Sequence, residues 1–468
     1  MKNGLSYIGG GSASEALNTA HRALSRSVQL GLGPQVGLEV YVQLARTTTV
    51  KVFGGKVESL VTAEPRGLGV RVIDNGRVGY SYTADLSSYG MDAALGEAVD
   101  YARIGEGDEF QTLPLPSTEG YPVLTELWRP GVSAIGIDKK ISLALQAEKT
   151  ALAMPYIETV EISEYTDSDE SVALVSNQGI EAESRRSFCF SYVYALAANE
   201  ADRQSGLGFT MGREPADLDV VAAGSEAAKK ACALLGAAPC PTGTYTLVFD
   251  RDVAAALLSA IISALSADAV QKGRSVFRDK LGELVASDLV TLWDDGLATG
   301  GLATSPFDGE GVPQKSTLLI KKGKLRNFLH SNYTARKEST KTASTGNAGR
   351  TSYRSLPVVR ATNLVLQPGQ GDLFNLISRT KNGLYVESVA GLHSGINSMT
   401  GEISVGITGR LIRGGDLGRP VREVTIAGDF ISLLQSVCDI ADDIRWIPLY
   451  GSIKTPSLAV TNMMVSGK

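Results

Sequence analysis

The stretch Gly236-Ala-Ala-Pro-Cys-Pro-Thr-Gly243 divides this chain. Proline brings no amide donor and glycine weakens helix and strand alike, so neither element continues through it. A chain of 468 residues is also longer than a single hydrophobic core usually serves. The break therefore predicts two domains, an α/β unit over residues 1–236 and a β-rich unit over 237–468.

In the first part, Ser12 and Glu15 have capping-box spacing. Apolar residues from Ala13 to Val28 then recur on one helical face. Residues 38–46 and 49–61 are rich in β-branched side chains and predict strands. Asp74-Asn75-Gly76 between two apolar runs predicts a hairpin, since Asn-Gly accepts the positive φ angles of a type I′ turn. Helical spacing returns at 86–104, 138–153 and 218–235, and strands are predicted at 159–165, 172–176, 180–186 and 188–198. The alternation of Phe188, Phe190, Tyr192 and Tyr194 predicts that this aromatic face is the buried one. The second part opens with a strand at 244–249 and an unusually apolar helix at 253–265, followed by short strands between glycine turns. The class is α+β, with an N-terminal mixed sheet carrying helices and a C-terminal, largely antiparallel β domain. No repeat of fixed period is visible.

Hydrophobic residues make up 43% and charged residues 20% of the chain, ordinary values for a soluble protein. The formal charge of -5 argues against direct nucleic-acid binding, which needs a basic face to displace counterions. None of the four cysteines forms a C-x-x-C pair, so they read as small buried hydrophobes in a reducing compartment. No apolar run approaches the roughly 20 residues of a membrane span. A cytoplasmic location is expected.

Only three histidines exist, His21, His330 and His393. No H-E-x-x-H, G-x-S-x-G, Walker or dinucleotide fingerprint is present. Two stretches stand out. Residues 331–354 are poor in apolar side chains and carry Arg336, Lys337, Lys341, Arg350 and Arg354 around Ser344-Thr-Gly-Asn347. They read either as an anion-holding loop or as a mobile solvated one. Gly391-Leu-His-Ser-Gly-Ile-Asn397 places polar groups on a glycine-flanked turn, and reads either as a cleft lining or as a capped turn.

The run from Gly383-Leu-Tyr-Val-Glu through Gly391-Leu-His-Ser-Gly-Ile-Asn397 to Thr400-Gly-Glu-Ile-Ser-Val405 resembles the TldD/PmbA family, once described as modulators of DNA gyrase. Pro420-Val-Arg-Glu-Val-Thr-Ile-Ala-Gly428, Tyr333-Thr-Ala-Arg336 and Arg66-Gly-Leu-Gly-Val-Arg71 extend the resemblance over nearly the whole chain, closer to the PmbA (TldE) branch. In that family the TldD branch holds zinc on an H-E-x-x-x-H helix and a late cysteine. The resemblance lays that motif on Ser259-Ala-Ile-Ile-Ser-Ala264, where serine and alanine replace both histidines and alanine the glutamate. It implies no cofactor in this chain, zinc in a TldD-like partner, and a two-chain metallopeptidase acting on unfolded peptides or maturing peptide products. This chain alone would be inactive, and whether it pairs with itself is left open. Tyr333, Arg336, Asn347, His393 and Asn397 are the candidate substrate-binding positions. The alternatives are a metal-independent hydrolase using His393, and a non-enzymatic binding protein.

Overall fold

Hairpin turns dictate the first sheet. The computed structural model describes residues 14–29, 32–33 and 35–468, so the Ser12 cap lies outside the described residues. Helix α1 (Glu15–Gln29) leads into β1 (Gly37–Phe53), β2 (Lys56–Ala63), β3 (Arg66–Asp74), β4 (Arg77–Thr83) and helix α2 (Ser88–Ile104). Helix α3 (Ile137–Leu152) leads likewise into β5 (Ile157–Ser176), β6 (Glu181–Ala198), β7 (Arg203–Gly212) and helix α4 (Val220–Ala233). The strand order is β4-β3-β1-β5-β6-β7, with β2 also on β1. Every ladder in it is antiparallel, which corrects the expected mixed sheet. Tight turns join most of its strands, and a two-residue turn reverses the chain direction. Asn75 and Gly76 take φ of 50° and 76° as the Asn-Gly signal required. A second turn was missed: Gly54 and Gly55 reverse the chain inside the strand expected over 49–61.

The sheet repeats one unit. Strands β2 and β3 keep a common register against β1 apart from the Glu64-Pro65 gap and a bulge between Lys51 and Val52, so together they correspond to β6. A helix, three strand positions and a helix thus occur twice, and the two copies meet where β1 pairs with β5. Sequence periodicity gave no sign of this, because the order of elements recurs rather than the residues.

Helix packing explains the small side chains. Alanines Ala98 and Ala102 of α2 and Ala223 and Ala227 of α4 are buried against glycine-bearing strands. A Cβ on Gly79 would lie 1.8 Å from the Ala98 carbonyl oxygen, and one on Gly208 2.0 Å from that of Ala223. On β6 the helix-facing side is therefore Cys189, Ser191, Val193 and Ala195, all fully buried. This overturns the expectation for the aromatic face. Phe190 and Tyr192 point the other way, half-buried against the core of the second domain. Large rings would not fit beneath helices packed this closely.

The second domain contains β8 (Gly243–Phe249), α5 (Arg251–Ile262), β9 (Leu292–Asp295), β10 (Ser316–Lys321), α6 (Asn332–Glu338), β11 (Asn363–Leu366), β12 (Asn382–Ala390), α7 (Leu392–Gly395), β13 (Glu402–Arg413), β14 (Asp416–Asp429), β15 (Val437–Ile440), β16 (Ser452–Thr455) and β17 (Leu458–Ser466). One sheet runs β14-β13-β12-β8-β17-β15, and a short β14–β17 pairing closes it on itself. A second contains β10-β9-β11-β16. Among the described strands only β12–β8 and β11–β16 pair in parallel, with one isolated parallel bridge between Ser266 and Leu329. The α+β class holds for the whole chain.

Candidate functional site

Helix α5 starts at a built cap. The Asp250 side chain accepts the Asp252 amide at 2.9 Å and the Tyr385 hydroxyl at 2.6 Å. Lys230 of α4 reaches Asp252 and lies 2.9 Å from Glu226, fixing α5 to the first domain. Burial alone would depress the Lys230 ammonium, but Asp252, Asp250 and Glu226 outweigh it and hold it above the usual lysine range. Burial and the neighbouring Asp252 push the Asp250 carboxyl up.

The far end of α5 has no metal chemistry. Residues Val253 to Leu258 and Ile261 are buried. Ser259 turns its hydroxyl back onto the Ala256 carbonyl at 2.7 Å, and Ala264 is fully buried in a 3-10 turn. Among the described residues no three His, Cys, Asp or Glu side chains converge as a metal-ligand set. The groups here do not fit zinc, which takes imidazole, thiolate or carboxylate ligands. Cys438 is exposed and Cys232 half-buried, so only Cys189 and Cys240 match the expected buried thiols.

The five candidate positions do not gather at one place. Beside α5, α7 carries an exposed His393, while Asn397 accepts the amides of Met399 and Thr400 in a turn. The Ser394 hydroxyl meets the Gly391 carbonyl at 3.4 Å. Arg336 is exposed on α6. Tyr333, on the same helix, donates to Asp108 of the first domain at 2.8 Å. Asn347 is buried and donates to Asp294 at 2.6 Å.

Residues 331–354 are not structureless, and although 336–341 are solvated, the rest is largely buried or half-buried. They begin as α6, capped by Ser331, and close the joint between the domains. Arg350 meets Glu39 and donates to the Gly309 carbonyl at 2.7 Å. Arg71 lies 2.6 Å from Glu39 and 2.8 Å from Glu310. Glu310 in turn accepts the Asn332 amide at 2.9 Å. The sequence held a signal for this: Glu39 and Arg71 interrupt apolar strands and are register partners. Below this cluster, burial, reinforced by Glu310, pushes the Asp308 carboxyl up to about 7, and burial pushes that of Asp294 to about 6.

Comparison with known proteins places this arrangement. Profiles of PmbA/TldA metallopeptidase domain 1, central domain and C-terminal domain match residues 38–103, 130–235 and 242–467. The chain belongs to the PmbA/TldD family. It is 26% identical over 456 residues to metalloprotease PmbA of Escherichia coli O157:H7, covering 95% of this chain and 96% of that protein. It is 27% identical to a metalloprotease TldD homolog of Haemophilus influenzae, covering 86% and 85%. A Thermotoga maritima structure described as a candidate modulator of a DNA gyrase superposes with a TM-score of 0.87 at 25% identity, covering 96% and 99%. TldE from Thermococcus kodakarensis shares the fold, with a TM-score of 0.87 at 21% identity over 95% and 100%. Membership of the PmbA/TldD family ties the chain to peptidase function. No helix among the described residues is long and apolar enough to cross a membrane.

Proposed function

We propose that this chain is the non-metal-binding, PmbA/TldE-like subunit of a two-chain zinc peptidase. Its partner is a TldD-like paralogue that brings the zinc, and the pair degrades unfolded peptides or matures peptide products in the cytoplasm. The observation that carries the reading is α5. The positions laid on the zinc motif by resemblance hold Ser259, bonded to its own helix, and the fully buried Ala264. Its role is to shape the chamber and hold the partner in place. In that chamber the substrate lies extended, with its main chain added to a sheet edge.

The test is co-expression with a TldD-like chain from the same organism. A 1:1 complex containing one zinc should elute and digest casein, and a chelator should stop it. Chelator-sensitive digestion by the isolated chain would end this reading. The stand-alone hydrolase gains no support from geometry, since His393 is exposed and the Ser394 hydroxyl faces a carbonyl.

A further inference from the structure

A groove of about 870 Å³ opens between the domains, on the side where α5 begins. Its walls come from β7, α4, the segment before β10 and the short strand Arg445–Ile447 that pairs with β16. Half-buried Met211, Leu302 and Trp446 give it an apolar flank, while Arg213, Arg251 and Lys229 stand along it. A volume in this range suits a ligand of several residues or a drug-sized molecule.

Charge matching singles out one of these residues. Most other arginines buried or half-buried at the joint meet carboxylates: Arg71 and Arg350 at Glu39, Arg186 at Glu170, Arg445 at Glu226. Arg213 is 8% exposed, and among the described residues its guanidinium meets only the carbonyl oxygens of Ser187 and Gly301. Half-buried Arg251 likewise reaches only the Asp443 carbonyl among the described residues. Four acids line the groove: Asp217 takes the Arg213 amide, Asp219 that of Ala222, Glu226 meets Lys230 and Arg445, and Glu126 is exposed. Burial, reinforced by Arg186, pulls the Arg213 guanidinium down to about 10, so its charge is held at a cost. A buried guanidinium without a counter-ion is unfavourable until an anion arrives, and a carboxylate matches its planar fork.

We propose that the groove binds a carboxylate carried on an apolar body, such as the C-terminus of a peptide, with Arg213 receiving the carboxylate and Met211, Leu302 and Trp446 the apolar part. A lone anion would leave most of that volume empty. The site lies at the opposite end of α5 from Ser259 and requires neither zinc nor a partner chain. Its failure would therefore leave the subunit reading untouched.

The experiment is calorimetric titration of the isolated chain with acetyl-Ala-Ala-Phe as the free acid and as the C-terminal amide. The acid should bind at least about tenfold more tightly, as loss of a charge-assisted contact implies. Arg213→Met should abolish that preference and Arg213→Lys should keep part of it. If Arg213→Met does not fold, Arg251→Gln and the wild-type acid-to-amide ratio still decide the matter. Equal affinity for acid and amide, or no binding by either up to about 1 mM, overturns the proposal. So does inorganic phosphate competing as well as the peptide acid. Binding of 3-phenylpropionate as tight as that of the peptide supports the site and assigns it to small acids.

Discussion

One carboxylate, that of Glu39, is shared by Arg71 of its own sheet, 2.6 Å away, and by Arg350 of the other domain. Removing it leaves two buried guanidinium groups short of a counter-charge. Breaking a buried pair from one side costs about 3–5 kcal/mol. Glu39→Gln should therefore lower the urea midpoint by an amount equivalent to at least about 3 kcal/mol. A loss below about 1 kcal/mol would show that the cluster is idle in stability.

The buried acids beneath this cluster make stability depend on pH in an unusual direction. Asp308 and Asp294 are raised to about 7 and about 6 from an ordinary 3.8. The folded state then holds protons that the unfolded chain has already released. Their contribution is complete below about pH 4 and is lost as pH rises through 6 and 7. Carbon NMR of the Asp308 carboxyl should give a midpoint near 7. Wild type should also lose stability relative to Asp308→Asn between about pH 5 and 8. A midpoint in the normal aspartate range would contradict both expectations.

Glycines offer a paired test of the helix packing. A Cβ on Gly208 meets the α4 backbone at 2.0 Å, whereas one on Gly96 of α2 has nothing within 4 Å. Gly208→Ala should destabilise by about 1–3 kcal/mol, the usual range for overpacking. Gly96→Ala should stabilise by up to about 1 kcal/mol, because alanine is the better helix former. Thermal melts of the two variants should move in opposite directions.

Much of the local structure was legible. The Asn75-Gly76 turn, the amphipathic α3 and the apolar α5 each depend on residues within a few positions of one another. What stayed hidden depends on distant partners. The rings of Phe190 and Tyr192 are more apolar than Ser191 and Cys189, so composition favoured the wrong face of β6. Only the closeness of the helices reverses it. Arg350 reads as a solvated charge until Glu39, more than three hundred residues earlier, is brought beside it. The unmatched Arg213 could not be found from sequence either, since a missing neighbour leaves no motif.

Helix α5 gives a last test. Ala264 is fully buried, while Ser259 is half-buried. Ala264→His should cost about 1–3 kcal/mol through overpacking, and Ser259→His about 0.5 kcal/mol or less. Urea titrations of both variants check this. Equal tolerance at the two positions would mean that the end of the helix can open to admit a side chain.

The doubled helix-and-strand unit of the first domain reaches beyond its symmetry. Both copies offer the helices the same small-residue floor, but they hold the second domain by different means. The copy containing β1 and β3 meets it through the buried cluster of Glu39, Arg71, Glu310 and Arg350, and the other copy through half-buried pairs, Lys230 with Asp252 and Glu226 with Arg445, beside the rings of Phe190 and Tyr192. The seam is therefore chemically lopsided. A lesion in the Glu39 cluster would leave the pairs and rings of the other copy in place, so the seam would loosen first on the side of β1 and β3.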